Sequence, residues 1–217
     1  TMSALERLGC VVDDLGILPD SPKKIAKAIR KAARSHDVLV TSGDMSVGEE
    51  DHVGKTVSDN GNLHFWRLAI KPGRPVSLGQ VHAGDRSAAF IGLPGNPVAA
   101  MVTFLLIGRP LVLRLGGATE ISPAVYRVTV GFAHKKKRDR REYVRARLED
   151  TPDGTVRVQK HGASGAGVLS SLVGADGLVE LPEDMTELEA GSTVDFLPFS
   201  EVFNTRRSDT RRSLSLS

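Results

Sequence analysis

Apolar and polar positions along the chain follow two regimes. Up to about residue 115, helical and strand periods alternate. The segment PKKIAKAIRKAARSH, residues 22–36, places Ile25, Ala28, Ile29 and Ala32 on one helical face. Ser21 and Pro22 supply its N-cap and first turn. SALERLG (3–9) predicts the end of a helix closed by Gly9. CVVDDLGI (10–17) predicts a short strand running into a loop, and DVLVTSG (37–43) predicts an apolar strand covered on both faces. A weaker helix is expected over 52–60, ending at Asn60-Gly61. LHFWRLAI (63–70) and PVSLGQV (75–81) read as strands flanking the turn KPGR, and SAAFIGLP (87–94) as a further strand. A helix then runs from Pro97 to about Leu115. This alternation predicts a parallel sheet with helices on both faces, an α/β unit over residues 1–118.

The regime changes at GGATEISPA, residues 116–124. YRVTVGFA, EYVRARLE, TVRVQKHG, DGLVELPE and STVDFLPF predict strands and turns only, separated by turn signals such as Asp153-Gly154. Residues 119–204 are therefore expected to form a small all-β barrel or sandwich. The Arg/Ser/Thr-rich stretch 205–217 is expected to be a disordered tail.

One junction between strand and helix is unusually stiff. In FIGLPGNPVAAMVTF (90–104), Pro94 and Pro97 restrict the backbone while Gly95 frees it. Asn96 suits the N-cap and Pro97 the first helical position. The helix start would point free N–H groups and a positive dipole end outward.

Composition narrows the picture. The 217 residues are 40% hydrophobic and 25% charged, enough for a core and a solvated surface. No uninterrupted apolar run approaches the roughly 18 residues of a membrane span, and the N-terminus lacks a signal-peptide pattern. Cys10 is the one cysteine, so no disulfide framework exists and a reducing, cytoplasmic setting is expected. In its apolar run it reads as a buried thiol. The net charge is +3 with a pI near 9.1, because basic residues cluster in HKKKRDRR (134–141) and RRSDTRR (206–212). These read as a solvated turn and a tail. They lack interleaved aromatics, which disfavours nucleic acid as a partner.

In an open α/β sheet, ligands bind beyond the carboxyl ends of the strands. Four loops qualify. DDLGILPDS carries Asp20 before a helix start. TSGDMSVGEED has two glycines, three hydroxyls and four carboxylates. Its glycines can turn N–H groups toward an anion, and Asp44, Glu49, Glu50 and Asp51 offer the hard oxygens that Mg²⁺ takes. RLAIKPGRP brings Arg67, Lys71 and Arg74, and the corner 94–97 is the fourth. Each loop alone has an ordinary structural explanation. Together they predict an anion site with a metal, for a small-molecule substrate bearing phosphate or another oxyanion.

The ordered set GILPD, TSGDMSVGEED, WRLAIKPGRP and GLPGNPVAAMVTF resembles the molybdopterin molybdenumtransferase family, the MoeA proteins and the gephyrin E domain. REYVRARL and GASGAGVLSSLVGADGLVELPED resemble that family's C-terminal domain, and the resemblance spans nearly all of 5–204. It implies a three-layer, MogA-like molybdopterin-binding domain, here lacking its first strand, followed by a β-barrel. It also implies molybdenum cofactor biosynthesis: molybdate is inserted into adenylylated molybdopterin and AMP is released, with Mg²⁺ assisting. By motif position, Asp20, Asp51, Lys71, Arg67 and Arg145 correspond to catalytic residues. Gly43, Ser46, Gly48, Arg74, Pro94, Gly95, Asn96 and Pro97 correspond to the cofactor-binding face, and Asp44, Glu49 and Asp51 to the metal set. A homodimer in full-length form and molybdopterin adenylyltransferase as a partner are further implications, as is the absence of any membrane association.

Three departures modify that expectation. Asp44 replaces the second glycine of the family's usual SGG. Ala166 stands where many relatives carry serine, with Ser164 nearby in place of glutamine. The family's two N-terminal domains and the first strand of the pterin-binding domain have no counterpart in the sequence, as in a truncated product. The alternative to an enzyme is therefore a non-catalytic molybdopterin- or anion-binding module serving as a scaffold.

Overall fold

The computed structural model describes residues 1–43, 51–152, 154–162 and 170–202, with only the backbone of Ser170 and Ser171. The tail expected at 205–217 lies outside the described residues. α1 (Met2–Arg7) ends at Gly9, whose φ of +86° provides the left-handed turn expected there. α2 (Pro22–Ala33) starts at Ser21 and buries Ile25, Ile29, Ala32 and Ala33, although the Ser21 side chain makes no capping hydrogen bond. α3 (His52–Asp59) closes at Asn60.

β1 (Val38–Ser42), β2 (Gly61–Arg67), β4 (Pro75–Ala83) and β5 (Arg86–Leu93) form a four-stranded sheet in the order β1-β5-β4-β2. The α/β class stands, but this sheet is mixed. β1 and β5 run parallel, whereas β4 is antiparallel to both β5 and β2. Short connections from β2 to β4 and from β4 to β5 can only reverse the chain; a parallel neighbour needs a crossover. Alternate residues of β5 serve two cores. Ala88 and Phe90 pack with Ile25, Ile29 and Val57, and Ile91 and Leu93 pack with Ala100, Val102 and Phe104.

Residues 10–19 form no strand, contrary to the expectation for CVVDDLGI. Val11, Leu15 and Ile17 are exposed, while Cys10 packs against the core. Apolar content alone does not make a strand when the backbone has no neighbour to pair with, and among the described residues no strand of the three sheets pairs with this segment.

α4 (Pro97–Thr103), a π-helical turn (Phe104–Gly108) and α5 (Arg109–Leu115) run on as one 19-residue helix. By length and composition it could cross a membrane. In the sequence, Arg109 and Pro110 interrupt the apolar run, which therefore predicts no such element. Here it is a core helix: Val98, Val102, Phe104, Leu105 and Leu113 are buried.

The second unit is a closed barrel. β6 (Tyr126–Val130), β8 (Arg141–Asp150), β9 (Val156–Lys160), β10 (Gly177–Leu181) and β12 (Thr193–Pro198) join in the ring β10-β12-β6-β9-β8, closed by β8 on β10. Val130, Val144, Val158, Val179 and Phe196 fill its interior. β7 (His134–Lys135) pairs with β11 (Glu187–Leu188). Two short helices, α6 (Ser170–Val173) and α7 (Phe199–Val202), add to the strands and turns expected here.

Three features fasten the barrel to the α/β unit. Tyr143, Leu178 and Leu197 join the same core as Ile91 and Phe104. β3 (Ile70–Lys71), which follows β2, pairs in parallel with the start of β8. Arg109, buried in the long helix, donates from Nε to the Val202 carbonyl and from Nη1 to the Ile121 carbonyl at 2.6 Å. Burial lowers the Arg109 pKa, and the two carbonyls accept from its guanidinium.

Candidate functional site

Strand register explains why distant loops meet at one end of the α/β sheet. Ser42, the last residue of β1, lies opposite Leu93, the last of β5. The Gly43 N–H donates to the Leu93 carbonyl at 3.3 Å, which sets Gly43 beside the 94–97 corner. β4 starts at this end as well, with Pro75 opposite Arg67 at the end of β2. The Asn96 side chain accepts from the N–H groups of Val98 and Ala99, both at 3.1 Å, so the corner is capped as its sequence predicts; with Ala100 N–H on the Asn96 carbonyl and no N–H on Pro97, the free outward N–H groups expected there are absent from this first turn. Pro94 is buried; Gly95 and Pro97 are exposed.

The KPGR loop folds over the start of this helix. Gly73 has φ +99°, and a Cβ there would collide with Thr103 Oγ1 and lie 3.0 Å from the Ala99 carbonyl oxygen. Only glycine meets both the left-handed backbone and the close approach. Lys71, Pro72, Gly73 and Arg74 then form one wall of a cavity of about 380 Å³. The barrel supplies the other wall through His134, Arg140, Glu142, Arg145, Lys160 and His161.

Cations dominate this cavity. Among the described residues, Lys71, Arg74, Arg140, Arg145 and Lys160 line it with one carboxylate, Glu142. Glu142 is buried, and its Oε1 accepts from Lys71 Nζ at 2.8 Å and His134 Nε2 at 3.1 Å. Burial pushes its pKa up, but the donors Lys71 and His134 outweigh that and leave it below the ordinary value. Arg145 is buried too, which lowers its pKa. Arg140 Nε is buried with no acceptor among the described residues. Tyr143, between Glu142 and the core, is pushed up to about 12 by burial and by Glu180.

The carboxylates gather elsewhere. Asp51 N-caps α3, its Oδ1 accepting from the Gly54 N–H at 2.7 Å. Its Oδ2 is buried without a donor among the described residues. Exposed Asp20 lies 3.7 Å from Nε2 of His52, the next residue. No cluster of three or more metal-ligating side chains occurs among the described residues. Of the expected metal set, Asp44 and Glu49 lie outside them, as do Ser46, Gly48, Ser164 and Ala166.

Comparison with known proteins matches this layout on both sides of the cavity. Residues 2–114 match the family model described as "Probable molybdopterin binding domain", and residues 127–199 match "MoeA C-terminal region (domain IV)". The chain belongs to the MoeA/gephyrin E-domain family. It is 35% identical over 199 residues to a molybdopterin molybdenumtransferase of Haemophilus influenzae, covering 91% of this chain and 48% of that protein. It is 26% identical to gephyrin of Dictyostelium discoideum, over 88% of this chain and 29% of the relative. Among solved structures, a molybdopterin biosynthesis MoeA protein of Pyrococcus horikoshii superposes with TM-score 0.72 at 26% identity, covering 91% of this chain and 46% of that one. A molybdenum cofactor biosynthesis protein of Pyrococcus furiosus shares the fold, with TM-score 0.68 at 24% identity over 91% of this chain and 62% of that one. The chain spans less than half the length of the curated relatives it matches here, from 29% to 48%.

Within this MoeA-type chain, the structure brings together Lys71, Arg74 and Arg145 of the expected site residues in one cavity. Gly43, Arg67 and Pro94–Pro97 share that sheet end but do not line the cavity. Asp20 and Asp51 meet at the start of α3 instead. Five charged or imidazole residues of the cavity are assigned no site role by the sequence motifs: His134, Arg140, Glu142, Lys160 and His161. The first two sit in the basic run taken for a solvated turn. No spacing signal marks Glu142: it lies three residues before Arg145 in β8, and residues three apart in a strand point to opposite faces.

Proposed function

We propose that this chain carries the pterin-binding face and oxyanion pocket of a molybdenum insertase. In this reading it holds adenylylated molybdopterin and molybdate while molybdenum enters the dithiolene and AMP leaves. The observation that supports it most directly is the cavity itself. Lys71 and Arg74 from the α/β unit face Arg140, Arg145 and Lys160 from the barrel across about 380 Å³. Such a cluster in a partly dry site offsets the crowded negative charge of phosphate and MoO₄²⁻. The unpaired Arg140 Nε is a donor that a bound oxyanion would satisfy.

Lys71 and Arg145 would hold the anion from opposite walls. The helix start at Asn96 would offer the pterin phosphate its positive dipole end only, since its first-turn N–H groups are already taken by Asn96. Mg²⁺ belongs to the same proposal, held by Asp51 with Asp44 and Glu49. The buried, donor-free Oδ2 of Asp51 fits a cation ligand. The bound metal would supply charge neutralisation at the phosphates. A cytoplasmic homodimer that receives its substrate from the adenylyltransferase completes the reading. Calorimetric titration with molybdate and with molybdopterin tests it. Binding that is lost in Arg145→Ala supports the assignment, and unchanged binding in that variant refutes it.

A further inference from the structure

Glu142 is an anomaly in a cavity built of cations. Its side chain is 5% exposed, yet it belongs to the lining. Both of its hydrogen-bond donors, Lys71 and His134, reach the same oxygen. The Lys71 side chain is 48% exposed, so the lysine that Glu142 holds is not sealed from solvent. Backbone pairing reinforces the contact, since Lys71 of β3 is the register partner of Glu142 in β8. Arg74, in the same loop, has no carboxylate within 4 Å among the described residues. The protein thus offsets one cation of the cavity and leaves a neighbouring one uncompensated.

We propose that Glu142 sets the oxyanion affinity of this cavity: its buried carboxylate offsets the Lys71 ammonium, so that a multiply charged oxyanion is held without being trapped. The inference rests on the anion-pocket reading above and identifies what limits the affinity of that pocket. Glu142 also fixes where the ammonium sits. Removing its charge frees one flexible lysine, at some cost in side-chain entropy on binding. It also removes a full negative charge from a site of reduced dielectric, and that effect is larger. Loss of the carboxylate therefore tightens anion binding.

The test uses two tetrahedral anions of different charge, molybdate and perrhenate, titrated calorimetrically into the full chain. Glu142→Gln keeps shape and an acceptor but removes the charge. It is expected to bind molybdate about fivefold tighter or more, and perrhenate about twofold tighter, because the gain scales with ligand charge. Glu142→Asp keeps the charge and is expected to stay close to the parent protein for both anions. An equal change for the two anions, or no gain with molybdate, overturns the inference while leaving the pocket intact. Absence of molybdate binding in the parent protein defeats the pocket reading itself. If Glu142→Gln does not fold, Lys71→Met and Arg74→Met carry the test. Lys71→Met leaves the Glu142 carboxylate in the cavity with His134 as its donor and no ammonium to offset, and should lose about tenfold more molybdate affinity than Arg74→Met. Equal losses refute the proposal.

Discussion

Lys71 Nζ lies 2.8 Å from Glu142 Oε1, across the seam between the α/β unit and the barrel. Both residues line the cavity, and the contact is the side-chain counterpart of the β3–β8 pairing. Lys71→Ala would leave the buried carboxylate with His134 as its donor. The ammonium is half exposed, so the cost falls short of that of a fully buried pair, about 1–2 kcal/mol. Urea denaturation should show a lower midpoint with an unchanged slope.

Two groups give stability opposite pH dependences. The Glu142 carboxyl lies below its ordinary value of 4.5 in the folded protein. Its contribution is present above that value and fades as pH falls through the folded pKa. His36 is raised above its ordinary 6.5, by the Ala32 carbonyl first and by Asp13, which holds Nε2 at 2.8 Å. Its contribution is complete below 6.5 and fades as pH rises through the folded pKa. In melting curves recorded against pH, Glu142→Gln should flatten the acid limb, and His36→Gln the limb above neutrality.

Asp51 combines a structural role with a proposed chemical one, and two variants separate them. Asp51→Ala removes the α3 cap and should cost about 1 kcal/mol. Asp51→Asn keeps the capping oxygen and should melt close to the parent protein, but it lacks the charge of a cation ligand. The Mg²⁺ dependence of molybdate affinity should weaken in both. A full Mg²⁺ response in Asp51→Asn would remove this carboxylate from the metal set.

Gly73→Ala tests whether the KPGR loop must lie against the long helix. The added methyl meets Thr103 Oγ1 and the Ala99 carbonyl on a left-handed backbone. A cost of about 2 kcal/mol or more is expected. The same displacement moves Lys71 and Arg74, so molybdate affinity should fall in parallel. Normal affinity in a destabilised variant would uncouple the loop from the pocket.

What the sequence revealed follows from how local each determinant is. The Asn96–Pro97 corner was legible because its cap acts over two and three residues. The ends at Gly9 and Asn60 were legible for the same reason. The 10–17 segment was misread because its apolar residues fit a strand, while pairing depends on a neighbour that its own sequence does not encode. The antiparallel course of β4 could be inferred only by treating KPGR as a chain reversal. Glu142 escaped notice because its partner Lys71 is 71 residues away, and no spacing rule reaches that far. His134 and Arg140 looked like solvated charge because a basic run carries no sign of which members turn inward.

The helix Pro97–Leu115 works as a rigid strut about 28 Å long. Its first turn is anchored by Asn96 at the corner, and further along Arg109 grips the carbonyls of Ile121 and Val202. The aperture between the two cavity walls is thus gauged partly from outside, by where this strut seats the barrel. A change at Arg109, which is not a cavity residue, would shift one jaw against the other, and the spacing of Lys71 and Arg145 would drift without any substitution between them.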